Sequence, residues 1–152
     1  MKELSVRKMQ LNDLPNILLL LADDELGKYR EEISGEVHQN YIKAFNAINT
    51  DSNQFLAVFE KNNEIVGCLQ LAFIPSLTRH GGLRGQIEGV RVSSKLRGKG
   101  YGRQMISWAI EKCRQQGCTL IQLTSDKSRK EAFHFYQNLG FSPSHEGFKM
   151  QI

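Results

Sequence analysis

Val90-Arg91-Val92-Ser93-Ser94-Lys95-Leu96-Arg97-Gly98-Lys99-Gly100-Tyr101-Gly102 is the stretch on which the fold turns. A strand runs into a basic, glycine-rich turn, and the turn opens directly into a helical pattern over Gly100–Gln116. Met105, Ile106, Ala109, Ile110 and Cys113 recur there at helical spacing, and Gly117 ends the run. The first amides of a helix have no partner within it, and the helix dipole favours negative charge at that end. Glycines let a phosphate come close to the backbone, so the turn has the chemistry of a pyrophosphate cradle. A plain structural turn is the competing reading. Two better-known cradles are excluded. Arg103 stands where G-x-G-x-x-G needs its third glycine, and Gly98-Lys99 is followed by Gly100 where a P-loop needs Ser or Thr.

Outward from this turn the chain alternates clear patterns. Towards the N-terminus, Arg84–Val92 reads as a strand. Gln54–Lys61 and Glu64–Ile74 read as two more, joined by Asn62-Asn63, which tolerates the positive φ of a tight hairpin. His80-Gly81-Gly82 reads as a flexible loop. Ser5–Met9 reads as a short strand, and Asn12 or Asp13 caps a helix carrying Leu14, Ile17, Leu18 and Leu21, with Pro15 in its first turn. The acidic run Asp23-Asp24-Glu25 follows, then a helix around Glu36–Ile48. Towards the C-terminus the pattern gives a buried strand at Leu120–Thr124, a helix at Ser128–Leu139 stopped by Gly140, and a strand at Phe141–Met150. Strands come in a run and then alternate with helices, which predicts a mixed sheet in an α/β or α+β domain.

The 152 residues carry Lys+Arg 20 against Asp+Glu 16, a net charge of +4, with 40% hydrophobic and 24% charged residues. A chain of this length buries roughly 68–70% of its unfolded surface, enough for one core. No repeat or linker divides it, so residues 1–152 read as a single domain. The longest apolar run, Ile17–Ala22, is far short of the roughly 20 residues a bilayer requires. The alternating N-terminus has no signal-peptide core, and the expected location is the cytoplasm, with no membrane partner. Charge this mild and dispersed predicts no nucleic-acid partner. Cys68, Cys113 and Cys118 are odd in number and form no Cys-x-x-Cys pair, which predicts free thiols and no metal site.

Two linked motifs resemble the GNAT superfamily of acyl-CoA N-acyltransferases. Arg97, Gly100 and Gly102 match its Arg/Gln-x-x-Gly-x-Gly/Ala signature. Ala132, Phe135, Tyr136, Gly140 and Phe141 match a second, Ala-x-x-Phe-Tyr-x-x-x-Gly-Phe, and Ile87–Val92 looks like the family's fourth strand. Arg129 departs from the pattern, since many members carry Asn there. The resemblance implies a strongly twisted mixed sheet flanked by about four helices, with the fourth and fifth strands splayed and the pantetheine arm of acetyl-CoA in the gap. It implies that the backbone of Val90 and Val92 pairs with the pantetheine like an added strand. It also implies that the amides of Gly98, Lys99, Gly100, Tyr101 and Gly102 hold the pyrophosphate, with Arg97 and Arg103 adding charge.

Acetyl transfer to an amine needs a base, an oxyanion donor and an acid for the departing thiolate. By resemblance the donor is the amide of Val90. Glu88 is the candidate base, acting directly or through water, on the reasoning that it shares a strand face with Val90. A solvated or salt-bridged strand glutamate is the alternative. Tyr136 is the candidate acid, with a core aromatic as the alternative. An acyl-cysteine route through Cys68, Cys113 or Cys118 finds no histidine placed with them, which favours structural cysteines. His38 and His134 have no metal-ligand spacing, while His80 and His145 sit where family members shape the acceptor pocket. Asp23, Asp24 and Glu25 read either as a solvated loop or as a recognition site for a cationic amine. The expected enzyme is an N-acetyltransferase moving an acetyl group from acetyl-CoA to a small-molecule primary amine in a ternary complex, without a metal. The segment from Ser144 to Lys149 looks like that of aminoalkylphosphonate acetyltransferases. A protein acetyltransferase and a silent acyl-CoA-binding regulatory module are the other readings, and a homodimer is left open.

Overall fold

Five strands form one sheet in the order β1-β2-β3-β4-β5 in a computed structural model that describes residues 4–24, 27–29, 31 and 36–152. The strands are β1 (Ser5–Lys8), β2 (Gln54–Lys61), β3 (Glu64–Pro75), β4 (Leu83–Val92) and β5 (Cys118–Leu123). β1 to β4 run antiparallel to their neighbours and β4–β5 is parallel, the last pair being joined by the helical crossover that a parallel pair needs. Asn62 and Asn63 close the β2–β3 hairpin with φ of 52° and 64°, as their short polar side chains allow. The mixed α+β architecture read from the sequence is the one found.

Each face of the sheet buries its own core. On one face α4 (Tyr101–Gln115) lays Met105, Ile106, Ala109 and Cys113 against Leu69, Leu71 and Ile87, and α5 (Lys130–Gln137) adds Phe135 and Tyr136 at the margin. Trp108 of α4 meets the rings of Phe55 and Phe59 at 5.7 and 5.4 Å. On the other face α1 (Leu14–Ala22) and α2 (Gln39–Thr50) cover Val58 and Cys68 with Leu14, Ile17, Leu20 and Phe45. α4 packs close because Gly85 and Gly67 present no side chain. A Cβ on Gly85 would stand 2.5 Å from the Cys113 sulfur, and one on Gly67 2.7 Å from the Met105 sulfur.

Several local expectations are corrected. Asp13 holds the N-cap position of α1 but its side chain makes no capping bond there; it closes a 3-10 turn over Leu11–Asp13, and its carboxylate accepts from the Gln10 amide at 2.8 Å and from the Arg7 guanidinium at 2.7 and 2.9 Å. α2 starts at Gln39, where the His38 imidazole accepts from the Asn40 amide. The His80 loop is a single helical turn, α3 (Thr78–Gly81), with Arg79 and His80 in left-handed backbone conformations. α5 starts at Lys130, later than read, because the carboxylate of Asp126 holds the Ser128 amide and hydroxyl in a preceding turn. Phe141–Met150 forms no strand. Its apolar alternation is real, but no strand pairs with it among the described residues.

Candidate active site

The parallel β4–β5 ladder begins at Leu83 opposite Cys118 and ends at Ile87 opposite Leu123. β4 continues through Glu88–Val92 without that neighbour, so the sheet opens into a gap. Gly89 lies where the opening starts. It takes φ +59°, and the β3–β4 register slips by one between Cys68/Arg91 and Gln70/Glu88. An extra residue at such a bulge twists and bends the strand.

The bulge also resets which way the side chains point. Ile87, Val90 and Val92 all pack on the α4–α5 face. Glu88 stands with Gln86 on the opposite face, where the Gln86 amide donates to its carboxylate at 2.9 Å. Glu88 and Val90 therefore do not share a face, contrary to the simple alternation applied to the sequence. Gln86 is itself fixed: Gln122, its register partner on β5, donates to the Gln86 oxygen at 2.6 Å. Because a carboxylate only accepts, this chain of bonds dictates the orientation of the Gln86 amide. Gln70 and Gln54 continue the polar file across β3 and β2 with a bond of 2.6 Å.

Beneath the gap, α4 begins at the glycine-rich turn. Gly100 caps it in a left-handed conformation at φ +80°, and the amides of Tyr101, Gly102 and Arg103 enter the helix ahead of the first repeating bond, Gln104 to Gly100. A Cβ on Gly98 would meet nothing within 4 Å, so the space over the turn is open. Gly102 serves packing instead: a Cβ there would lie 3.3 Å from the Phe135 ring, which joins the helix start to α5. The Tyr101 side chain is core, under the Lys61 ammonium at 5.0 Å. Arg103 is exposed. Arg97 and Lys99 turn back on the chain, with Arg97 Nε donating to the Val92 carbonyl at 3.1 Å and Lys99 to the Lys95 carbonyl at 2.9 Å.

The acidic run after α1 proves to be structural. Asp24 forms an ion pair with Arg91, one carboxylate oxygen 2.9 Å from Nε, and accepts a hydrogen bond from Arg129 on the other at 2.7 Å. Arg91 belongs to β4 and Arg129 precedes α5, so one carboxylate links the two walls of the gap. Asp23 accepts from the Ser94 amide at 2.8 Å and pairs with Arg97, which ties the end of α1 to the glycine-rich turn. Both carboxylates are paired within the chain, Asp24 largely buried and Asp23 partly exposed; Glu25 lies outside the described residues. Sequence reading missed this brace because its members lie up to 105 residues apart. The departure at Arg129 was its one visible sign.

Tyr136 stacks edge-on with Phe135 and Phe141 at 5.1 and 5.9 Å. Burial pushes its phenol above the ordinary value, while the charges of Arg129 and Arg91 pull it back. The hydroxyl therefore stays protonated at neutral pH, near two guanidinium groups. Burial likewise drives the Cys68 and Cys113 thiols up to about 12, which makes both poor nucleophiles. His145 is exposed beside the Ser144 hydroxyl at 2.8 Å, and His80 is exposed on α3, so neither approaches Glu88 as an accessory base through any bond found. Among the described residues no cluster of His, Cys, Asp or Glu has the form of a metal site, and no helix is long and apolar enough to cross a membrane.

The sheet thus opens beyond its one parallel pair, and the helix that follows β4 begins with amides free of intrahelical partners, a place suited to an anionic group. The chain belongs to the acetyltransferase (GNAT) family, whose model matches residues 17–141, and is an N-acetyltransferase. That family uses acetyl-CoA. The chain is 32% identical over 111 residues to the aminoalkylphosphonate N-acetyltransferase of Salmonella typhimurium, covering 73% of this chain and 71% of that one. It is 36% identical over 93 residues to the glucosamine 6-phosphate N-acetyltransferase of Trypanosoma brucei brucei, covering 61% of each. A crystal structure described as a transcriptional regulator from Bacillus halodurans C-125 is 45% identical and superposes with a TM-score of 0.95 over 99% of this chain and 100% of that one.

Proposed function

We propose that residues 1–152 act as one catalytic domain that transfers the acetyl group of acetyl-CoA to the primary amine of a small molecule, by direct attack in a ternary complex. The observation that carries this reading is the end of the β4–β5 ladder at Ile87 and Leu123, with β4 running on alone into the glycine-rich start of α4. The two relatives named for small amines support the acceptor class.

The amides of Gly98, Lys99, Gly100, Tyr101 and Gly102 would hold the pyrophosphate, with Arg103 free to add charge; Arg97 would add charge only by leaving Asp23. The main chain of Val90 and Val92 faces the gap as an edge on which the pantetheine arm adds like a strand. When bound, the thioester supplies the activated carbonyl. The Val90 amide donates to the carbonyl oxygen as negative charge gathers there. Glu88, on the other face, takes a proton from the incoming ammonium, directly or through water, and Gln86 fixes its carboxylate for that purpose. Tyr136 gives a proton to the departing sulfur.

Two measurements test this. Acetyl-CoA at about 100 times its dissociation constant should stabilise the fold by roughly 2.7 kcal/mol in a thermal melt. Thiol release should then follow addition of an aminoalkylphosphonate or glucosamine 6-phosphate, and not of a lysine-containing peptide. Release with the peptide alone would move the acceptor to the protein class. The relative described as a regulator favours a second reading, a silent acyl-CoA-binding module; stabilisation without release from any amine would select it.

A further inference from the structure

The sheet face that carries Glu88 also holds a cation that no group of the chain answers. Gly85 turns toward α4, where a Cβ on it would stand 2.5 Å from the Cys113 sulfur, so its neighbours Arg84 and Gln86 point to the opposite face, the face of Glu88. Among the described residues, the apolar core on that face takes Val58 and Cys68 with α1 and α2 and includes no residue of β4 or β5. The β4 side of the face is left to Arg84, Gln86, Glu88 and, across the parallel ladder, Gln122.

Arg84 is only partly exposed, and its Nε is out of solvent with no hydrogen-bond partner. Its register partners are Ile74 on β3 and Leu120 on β5, whose apolar side chains suit the arginine stem and offer the guanidinium no acceptor. The next residue along the face, Gln86, has its oxygen taken by Gln122 and its amide turned to Glu88. None of the ion pairs found among the described residues uses Arg84, whereas Arg7, Arg91 and Arg129 all meet carboxylates. A donor withdrawn from water without a bond is costly, so a group of this kind calls for a partner from outside the chain.

We propose that Arg84 determines which amines react, by binding a phosphonate or phosphate group carried on the acceptor while the amine of the same molecule lies at Glu88. This rests on the reading of Glu88 as the base on the acceptor side. The guanidinium suits such a group, because Nε and one Nη present two parallel N–H donors that match two oxygens of the anion. Arg84 and Glu88 are four residues apart, about 13 Å of strand, and side chains on a strand lean along it, so one small molecule reaches from one to the other. The charges also match end to end. The ammonium of the acceptor meets the carboxylate and its anionic group meets the guanidinium. An uncharged alkylamine leaves Arg84 without a partner, and that difference is the source of selectivity.

Thiol release from acetyl-CoA compares phosphoethanolamine with ethanolamine, and an aminoalkylphosphonate with the alkylamine of the same length. The wild type should favour the anionic member of at least one pair by roughly tenfold to a hundredfold in kcat/KM, and the larger ratio identifies the preferred group. In Arg84→Gln the ratio should fall to near unity, and Arg84→Lys should restore part of it, since lysine keeps the charge and loses the fork. A general loss of fold or rate affects both amines of a pair and leaves their ratio in place. Binding gives a second readout. Methylphosphonate, which has no amine, should raise the melting temperature of the wild type with CoA bound and not that of Arg84→Gln with CoA bound. A wild type without preference for the anionic amine, or a ratio unchanged in Arg84→Gln, would overturn the proposal. If no amine releases thiol, the proposed reaction fails separately and methylphosphonate decides: stabilisation of both proteins alike, or of neither, removes the anion site.

Discussion

Glu88 and Val90 stand two residues apart on β4 yet project from opposite faces of the sheet, because Gly89 between them takes φ +59° and shifts the register with β3 by one residue. The carboxylate thus looks toward the α1–α2 side while the Val90 side chain joins the core under α4 and α5. In the proposed reaction the acetyl donor lies within the gap and the amine arrives from the Glu88 side, so the reset of pleating separates the two substrates.

That reset depends on one residue without a side chain. Gly89→Val should cost about 1–2 kcal/mol for the left-handed backbone, and more if the strand straightens. A Cβ there meets no neighbour within 4 Å, so the cost is conformational and not steric crowding. Urea denaturation measures the stability. Turnover should fall further than stability alone explains, because straightening the strand moves both Glu88 and the Val90 amide.

Gln86 should act as a positioning residue. Its amide holds the Glu88 carboxylate at 2.9 Å and is held in turn by Gln122 at 2.6 Å. Gln86→Leu removes one hydrogen bond to a charged group, worth roughly 1.5–3 kcal/mol, so kcat/KM should drop about tenfold or more with acetyl-CoA affinity unchanged. The fall should appear in kcat, with the urea midpoint of the fold moving little. A merely structural role would lower that midpoint and leave kcat of the folded protein in place.

Asp24 braces the walls of the gap. Asp24→Asn leaves the guanidinium groups of Arg91 and Arg129 without their carboxylate in a largely buried setting, where side-chain exposure is 11% for Asp24 and 17% for Arg91. The loss should be about 3 kcal/mol, read as a fall in melting temperature of roughly 6–12 °C. The two arginines would then act on Tyr136 uncompensated, and ultraviolet titration should show its phenol ionising at lower pH than in the wild type.

Asp13 supplies a pH test of the fold. The Arg7 guanidinium, aided by the Gln10 amide, holds its carboxyl below the usual aspartate range. A lowered folded pKa means that the stabilisation is present above the unfolded value and is lost as pH falls through the folded one. The stability gap between wild type and Asp13→Asn, measured by urea midpoint, should be full at pH 7 and narrow below about pH 4.

What could be read in advance follows from the range of the interactions. The Asn62-Asn63 hairpin, the glycine-rich turn and the apolar stripe of α4 are set by neighbours in the chain, and local rules found them. The face of Glu88 was misread because period-two alternation fails wherever one residue bulges, and a lone Gly89 does not announce that it is one. Asp24 with Arg91 and Arg129 is a tertiary contact with no local signature. The strand pattern of the C-terminal segment was legible, but no pairing for it is found among the described residues.

The account is tested most directly by thiol release from acetyl-CoA with an aminoalkylphosphonate acceptor, comparing wild type and Glu88→Gln between pH 6 and 9. It predicts saturable turnover by the wild type and a loss of about a hundredfold or more in the variant, with acetyl-CoA binding intact. Equal turnover by both proteins would contradict it.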